Sequence, residues 1–312
     1  MMEYLPILVL IFSFLVLLLI GVPVAWSIAI SSLLTMMVSI PFLPALTTVS
    51  QRIATGLDSF ALLAIPFFVL SGQLMNKGGI AHRLIDFAKT LVGSLPGGLA
   101  LINVIAAMLM GSIAGSAMAS ASAMGSILGP EMEKEGYSKE FGAAVNITSS
   151  TVGLIIPPSN VLIVYSLASG GVSIAALFIA GYIPGILTGL LLMIVASFWA
   201  KKKGYKVGKR STLKEVGKTF LKAFPSLTLL FVIIGGIVAG IFTATEASAV
   251  AVLYTLILGF YYKEIKLKNL PEILLDSCGT TAIVMLLIGA SMSMSWVMSY
   301  DCLLYTSPSP RD

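Results

Sequence analysis

The stretch Asn146-Ile147-Thr148-Ser149-Ser150-Thr151-Val152-Gly153-Leu154-Ile155-Ile156-Pro157-Pro158-Ser159-Asn160 lies inside residues 141–169, a run without a single charged side chain. Pro157 and Pro158 offer no backbone donor and clash with the preceding turn, so a helix entering this run must unwind there. Backbone that is not helical at membrane depth is tolerated only where protein buries it or it lines a wet cavity. Unwinding bares carbonyl oxygens that suit a cation, and the half-helix starting near Ser159 turns its positive dipole end toward an anion. A single proline kink is usually only structural. This double proline is bracketed by Thr148, Ser149, Ser150, Thr151, Ser159 and Asn160, which marks a broken helix at a binding site. Ser149, Ser150, Gly153 and Pro157 are the candidate ligands for a hard cation, and Ser159 and Asn160 the candidate substrate contacts.

Upstream, residues 97–130 hold a second interrupted element. An apolar arm, residues 99–110, meets Gly111-Ser112-Ile113-Ala114-Gly115-Ser116-Ala117-Met118-Ala119-Ser120, and a second arm runs to Leu128. Neither arm alone has the usual spanning length. Charges flank both ends, His82 to Lys89 before and Glu131 to Lys139 after, so the expectation is a re-entrant helical hairpin with the small residues at its tip. Glycine permits the tight turn. Ser112, Gly115 and Ser116 can offer hydroxyl and carbonyl oxygens to a hard cation, and Ser116 is also a candidate substrate contact. Gly111 and Gly115 equally form a GxxxG helix-packing pattern.

The rest of the chain has a membrane composition. Of 312 residues, 57% are hydrophobic and only 11% charged, where a soluble domain is about one-quarter charged. Apolar runs at residues 4–20, 22–40, 59–75, 173–200, 224–242 and 246–262 each approach the roughly 20 residues needed to cross about 30 Å of hydrocarbon. The first run lacks a basic start, follows Glu3 and leads into Gly21-Val22-Pro23 and another span, so it reads as a transmembrane helix and not a secretory signal. The chain is therefore expected to be an all-α polytopic membrane protein with lipid as its solvent.

Nine of its 19 basic residues, from Lys201 to Lys222, fall in one loop between spans, residues 201–222. Basic loops stay in the cytoplasm; with membrane helices on both sides, this one is no nucleic-acid patch. Counting spans outward places His82, Arg83, Lys89, Lys134 and Lys139 on the same side and the N-terminus outside.

Internal similarity divides the chain. Ile20-Gly21-Val22-Pro23-Val24-Ala25 and Ala239-Gly240-Ile241-Phe242-Thr243-Ala244 open similar spans at an offset of 219 residues, and the register carries residues 47–58 onto 266–277 and 59–75 onto 278–294. The span count runs the copies in opposite directions, as an inverted repeat. Residues 1–200 form the first copy, with a hairpin at about 97–130 and a broken helix at about 141–169, and residues 223–300 an incomplete second copy. The counterparts of the hairpin and broken helix would begin near position 316, past the last residue, so the chain as given is expected not to transport. Residues 301–312 have no helical period, look non-native and are set aside from the fold.

Four stretches carry a family resemblance, in order: Ala64-Ile65-Pro66-Phe67-Phe68-Val69-Leu70-Ser71-Gly72-Gln73-Leu74-Met75-Asn76-Lys77-Gly78-Gly79-Ile80, then residues 111–117, then Ile155-Ile156-Pro157-Pro158-Ser159, then residues 240–250. They resemble the large membrane subunit of tripartite ATP-independent periplasmic (TRAP) transporters over nearly everything up to about Met298. The resemblance implies an elevator-type carrier in the cytoplasmic (inner) membrane of a bacterium or archaeon, with Na⁺ and a small organic anion bound between hairpin tips and broken helices. It implies Na⁺ as the cation of Ser112, Gly115, Ser116, Ser149, Ser150, Gly153 and Pro157. A small four-helix membrane subunit and a periplasmic substrate-binding protein would be partners, and the substrates would be carboxylates such as C4-dicarboxylates or sialic acid. Ala244 stands where the family usually has proline.

Other functions fit less well. There is no paired acidic motif and no HExxH, and Gly204-Tyr205-Lys206-Val207-Gly208-Lys209-Arg210 lacks the spacing and the Ser or Thr of a phosphate loop. Neither an intramembrane enzyme nor an ATP-driven pump is expected, and no cofactor beyond the coupling ion. Cys278 and Cys302 have no metal-ligand spacing. An anion symporter of related inverted-repeat build that works without a binding protein is the rival. Glu246, in Thr245-Glu246-Ala247-Ser248 at a helix start, is expected to cap that helix.

Overall fold

A computed structural model describes residues 5–114, 116–205, 208 and 211–300. The tail at 301–312, the candidate ligand Gly115 and the side chain of Ser112 lie outside what it describes. Thirteen α-helices and no strand occur among the described residues. They fall into two compact units, one holding the residues up to Phe60 and those from Gly279 on, the other spanning Ala61–Cys278.

In the first unit, α1 (Leu5–Leu19) and α2 (Val24–Ser39) pack on one another across a turn at Gly21. At 15 and 16 residues, about 23 Å each, both are shorter than the sequence runs suggested. Helix α3 (Phe42–Leu57) packs Ala45 and Val49 on Met36 and on Val297 of α13 (Leu270–Tyr300), and sets the Arg52 guanidinium 4.6 Å from the centre of the Trp296 ring.

The second unit contains α4 (Ala64–Lys77), α5 (Ile80–Val92), α6 (Gly98–Ala114), α7 (Ala117–Lys134), α8 (Lys139–Ile155), α9 (Asn160–Ala168), α10 (Ile174–Lys203), α11 (Leu213–Val238) and α12 (Ala244–Tyr261). Helices α6 and α7 pair as the expected hairpin. Its ends meet: Lys89, just before α6, lies 2.8 Å from Glu131 in the last turn of α7. The basic stretch joins them, since Tyr205 stacks on Tyr137 at 4.3 Å and accepts a 3.3 Å hydrogen bond from the Ser138 amide. Ser197 near the end of α10 donates to the Pro96 carbonyl at 2.9 Å. One end of this unit thus gathers both ends of the hairpin and the lysine-rich stretch. By the positive-inside rule, cysteines at Ser94 and Glu133 are expected to be labelled by an impermeant maleimide from the cytoplasmic face, and labelling from opposite faces would rule the hairpin out.

Helices Phe60–Lys77, α10, α11, α12 and Leu267–Tyr300 are long and apolar enough to cross a membrane, and the pair α8–α9, bent by 52°, makes a sixth crossing if counted as one span. The basic loop is shorter than its charge run. Lys201–Lys203 end α10, closed by Gly204 in the left-handed region, and Lys214, Lys218 and Lys222 lie on α11, started by a capping box of Thr212 and Glu215. Lysine is a good helix former, so charge alone does not mark a helix end.

At the 219-residue offset, Gly21 and Gly240 both carry positive φ, 90° and 71°. Helices α1 and α11 end at Leu19 and Val238, and α2 and α12 start at Val24 and Ala244. The register departs later: the chain leaves the helix at Asp58 and Ser59, whereas α13 runs unbroken through the matching Ser277 and Cys278. Pro66 does not account for the difference, since it lies inside α4, which follows Phe60–Leu63 without interruption; Met285 holds the matching place in α13.

Candidate functional site

Helix α8 starts at Ser138, whose hydroxyl accepts from the Phe141 amide, and stops at Ile155. Residues Ile156–Ser159 are not helical, and the Pro157–Pro158 peptide bond is cis. Ser159 closes the break: its hydroxyl donates to the Leu154 carbonyl before the prolines and accepts from the Leu162 amide after them, which caps α9. The break is buried, with Ile156, Pro157, Pro158 and Ser159 inside the unit. It packs against glycines of α10. A Cβ at Gly181 would stand 2.7 Å from the Ile155 carbonyl oxygen, and one at Gly185 would stand 2.5 Å from Ile156 Cγ1. The same face continues at Gly189, where a Cβ would meet Met108 Sδ at 2.4 Å.

The middle of α8 is tied to the hairpin by polar groups. Ser149 donates to Asn103 Oδ1 of α6 at 2.8 Å, Ser150 donates to the Asn146 carbonyl at 2.7 Å, and Asn146 Nδ2 donates to the Ala121 carbonyl of α7 at 2.9 Å. Gly153 lies directly on Gly111, so close that a Cβ on Gly111 would fall 2.0 Å from the Gly153 Cα. Gly111 is therefore a packing glycine, as the GxxxG alternative had it. Ser116 stands just before α7, and its carbonyl accepts from the Ser120 amide in the first turn of that helix at 3.1 Å.

The structure thus divides the predicted residues into Ser149 and Gly153, which touch α6, Ser150, bonded within α8, Pro157 and Ser159, in the break, and Asn160, just beyond it. Two buried amide oxygens, Asn146 Oδ1 and Asn160 Oδ1, have no hydrogen-bond partner among the described residues. A buried acceptor left so costs about 1–3 kcal/mol, and a cation or a ligand hydroxyl would relieve it. Ser149 and Ser150 give their protons away, which leaves their oxygen lone pairs available to a cation. A cleft of about 330 Å³ reaches this region among α6, α7 and α8, lined by Asn103, Asn146, Glu133, Tyr137 and Lys139 among others.

Asn103 and the Gly181, Gly185, Gly189 stripe were not among the expected site residues. The first could have been noticed as an amide in the middle of an apolar helix, the second by its spacing of four.

Glu246 caps its helix. Its Oε2 accepts from the Thr243 amide and hydroxyl, each at 2.8 Å, while Thr243 Oγ1 accepts from the Glu246 amide. Glu246→Gln keeps an acceptor oxygen and is expected to leave assembly and uptake near wild type. A selective loss of ion dependence in that variant would give Glu246 a role in coupling.

The family model for the tripartite ATP-independent periplasmic transporter, DctM component, matches residues 11–303. This chain belongs to the TRAP transporter family. It is 54% identical to the protein YgiK of Salmonella typhimurium over 298 residues, 95% of this chain and 68% of that one. It is 38% identical to the sialic acid TRAP transporter large permease protein SiaM of Vibrio cholerae, covering 93% and 68%. To the C4-dicarboxylate TRAP transporter large permease protein DctM of Rhodobacter capsulatus it is 35% identical, covering 91% and 68%. The chain spans about two thirds of the length of these relatives, and the broken helix and hairpin fall inside the matched region.

Proposed function

We propose that this chain is the permease part of a Na⁺-coupled, binding-protein-dependent carrier that imports small carboxylates across the cytoplasmic membrane. The observation that carries the reading is the orphan oxygen of Asn160, buried at the start of a half-helix just past a double-proline break. An oxygen acceptor without a donor fits Na⁺, which takes oxygen ligands, and the lone pairs of Ser149 and Ser150 add to the set. Na⁺ would supply charge that a carboxylate needs at membrane depth, and the dipole of α9 adds to it. Matched helix ends and positive-φ glycines at the 219-residue offset support an inverted repeat, the build of elevator-type carriers. The relatives' names support the substrate class, sialic acid for one and C4-dicarboxylates for another.

The family supports two partners, a small membrane subunit and a periplasmic binding protein. The test is to co-reconstitute the full-length permease with both in proteoliposomes and impose a Na⁺ gradient. Uptake of a carboxylate is expected only with binding protein, partner subunit and inward Na⁺ gradient together. Uptake undiminished without the binding protein would favour an anion symporter of related fold instead.

A further inference from the structure

The basic residues were used above only to orient the chain, yet those on α11 are arranged more specifically than orientation requires. Lys214, Lys218 and Lys222 follow one another at intervals of four, so they form one stripe along the helix. The opposite face is packed: Thr219 Oγ1 lies 3.0 Å from Thr90 Oγ1, and the Phe220 ring centre lies 5.6 Å from that of Phe87, both on α5. All three lysines are exposed, and none forms an ion pair with a described residue. The acid on the same helix, Glu215, is engaged by the Thr212 amide at 2.8 Å in the cap.

Depth decides what the stripe meets. Helix α11 ends at Val238, ahead of the left-handed Gly240, and about 20 residues of helix cross about 30 Å of hydrocarbon. Counted back from Val238, that length ends near Thr219. Lys218 then stands at the hydrocarbon boundary, Lys222 about one turn inside it and Lys214 about one turn outside. A lysine at such depth lays its methylenes along apolar surface and brings its ammonium up to the phosphate level. Between and beyond the lysines, Leu221 is 71% exposed and Phe224 51%, continuing toward Phe231 at 78% on the same span. A stripe of cations whose flank is apolar and continuous with the lipid-facing part of a span matches a molecule that is anionic at its head and apolar along its length.

We propose that Lys214, Lys218 and Lys222 of α11 form a binding site for an anionic phospholipid of the cytoplasmic leaflet, its phosphate among the three ammonium groups and its acyl chain along Leu221 and Phe224. The site is independent of the transported substrate. It ties the end of α11 to the headgroup layer, where each added lysine near an anionic surface strengthens binding.

The test uses the full chain, purified and delipidated in detergent, titrated with phosphatidylglycerol, phosphatidylcholine or inorganic phosphate, with retained lipid counted by native mass spectrometry. Phosphatidylglycerol is expected to be retained at least about tenfold over phosphatidylcholine, and inorganic phosphate is expected not to displace it. The triple variant K214Q/K218Q/K222Q should lose the preference and K214R/K218R/K222R should keep it. The variant K201Q/K202Q/K203Q, which removes equal charge at the end of α10, should keep it too. Equal retention of the two lipids by the wild type would overturn the site. So would a preference that survives the α11 glutamines, one lost equally with the α10 glutamines, or displacement by inorganic phosphate.

Discussion

Gly111→Ala is expected to destabilise the second unit by about 3 kcal/mol, the upper end of the range for overpacking a tight contact. The added Cβ would fall 2.0 Å from the Gly153 Cα, 2.8 Å from its carbonyl carbon and 2.9 Å from its oxygen. Those atoms are backbone, so no rotamer change can relieve the contact, and α6 must move away from α8. The move would stretch the bond between Ser149 and Asn103 along with it. Gly235→Ala on α11 is the control, because a Cβ there meets nothing within 4 Å, and removing a helical glycine stabilises by about 0.5–1 kcal/mol. Thermal unfolding of purified protein reads both. An unfolding midpoint for Gly111→Ala equal to wild type would show that the two helices are not in this contact.

In the full-length transporter with its partners, Ser150→Leu, Ser116→Leu and Asn160→Leu are each expected to raise the half-saturating Na⁺ concentration for uptake at least about tenfold, with membrane expression unchanged. The size follows from the roughly 1.5–3 kcal/mol carried by one contact to a charged group. Ser150 lies on α8 before the break and Asn160 on α9 after it, so loss on both sides would point to a site that needs both half-helices. Unchanged Na⁺ dependence in all three would remove these residues from the ion site and leave Ser150 as a helix-packing hydroxyl.

What could be read in the sequence and what could not divides along a physical line. The broken helix was legible because proline acts on its own turn: Pro157 and Pro158 end α8 wherever the chain folds. The hairpin was legible because its flanking charges and small-residue tip constrain any membrane chain. Asn103 was not, since its role depends on Ser149, 46 residues away, and only packing brings the two together. The glycines of α10 were absorbed into an apolar span, because hydropathy weighs a residue and ignores what its missing side chain lets in. The basic loop is shorter than its charge run, a difference that the capping-box spacing of Thr212-Leu213-Lys214-Glu215 already carried. The unbroken α13 shows the limit of reading by offset, which transfers a break from Asp58 to Ser277 although the side chains around the two positions differ.

The polar ties among Asn103, Ser149, Asn146 and the Ala121 carbonyl have a kinematic meaning. They fasten a point on α6, a point on α8 and a point on α7 to one another, and the Gly111–Gly153 contact pins α6 to α8 again, about two turns further along α6 and one turn further along α8. Two helices held at two separated points resist sliding and rotating past each other, so a movement of α8 is expected to carry α6 with it; α7 follows through its single tie to Asn146. Spin labels on the outer faces of α6, α7 and α8 are expected to keep their mutual distances when α8 moves.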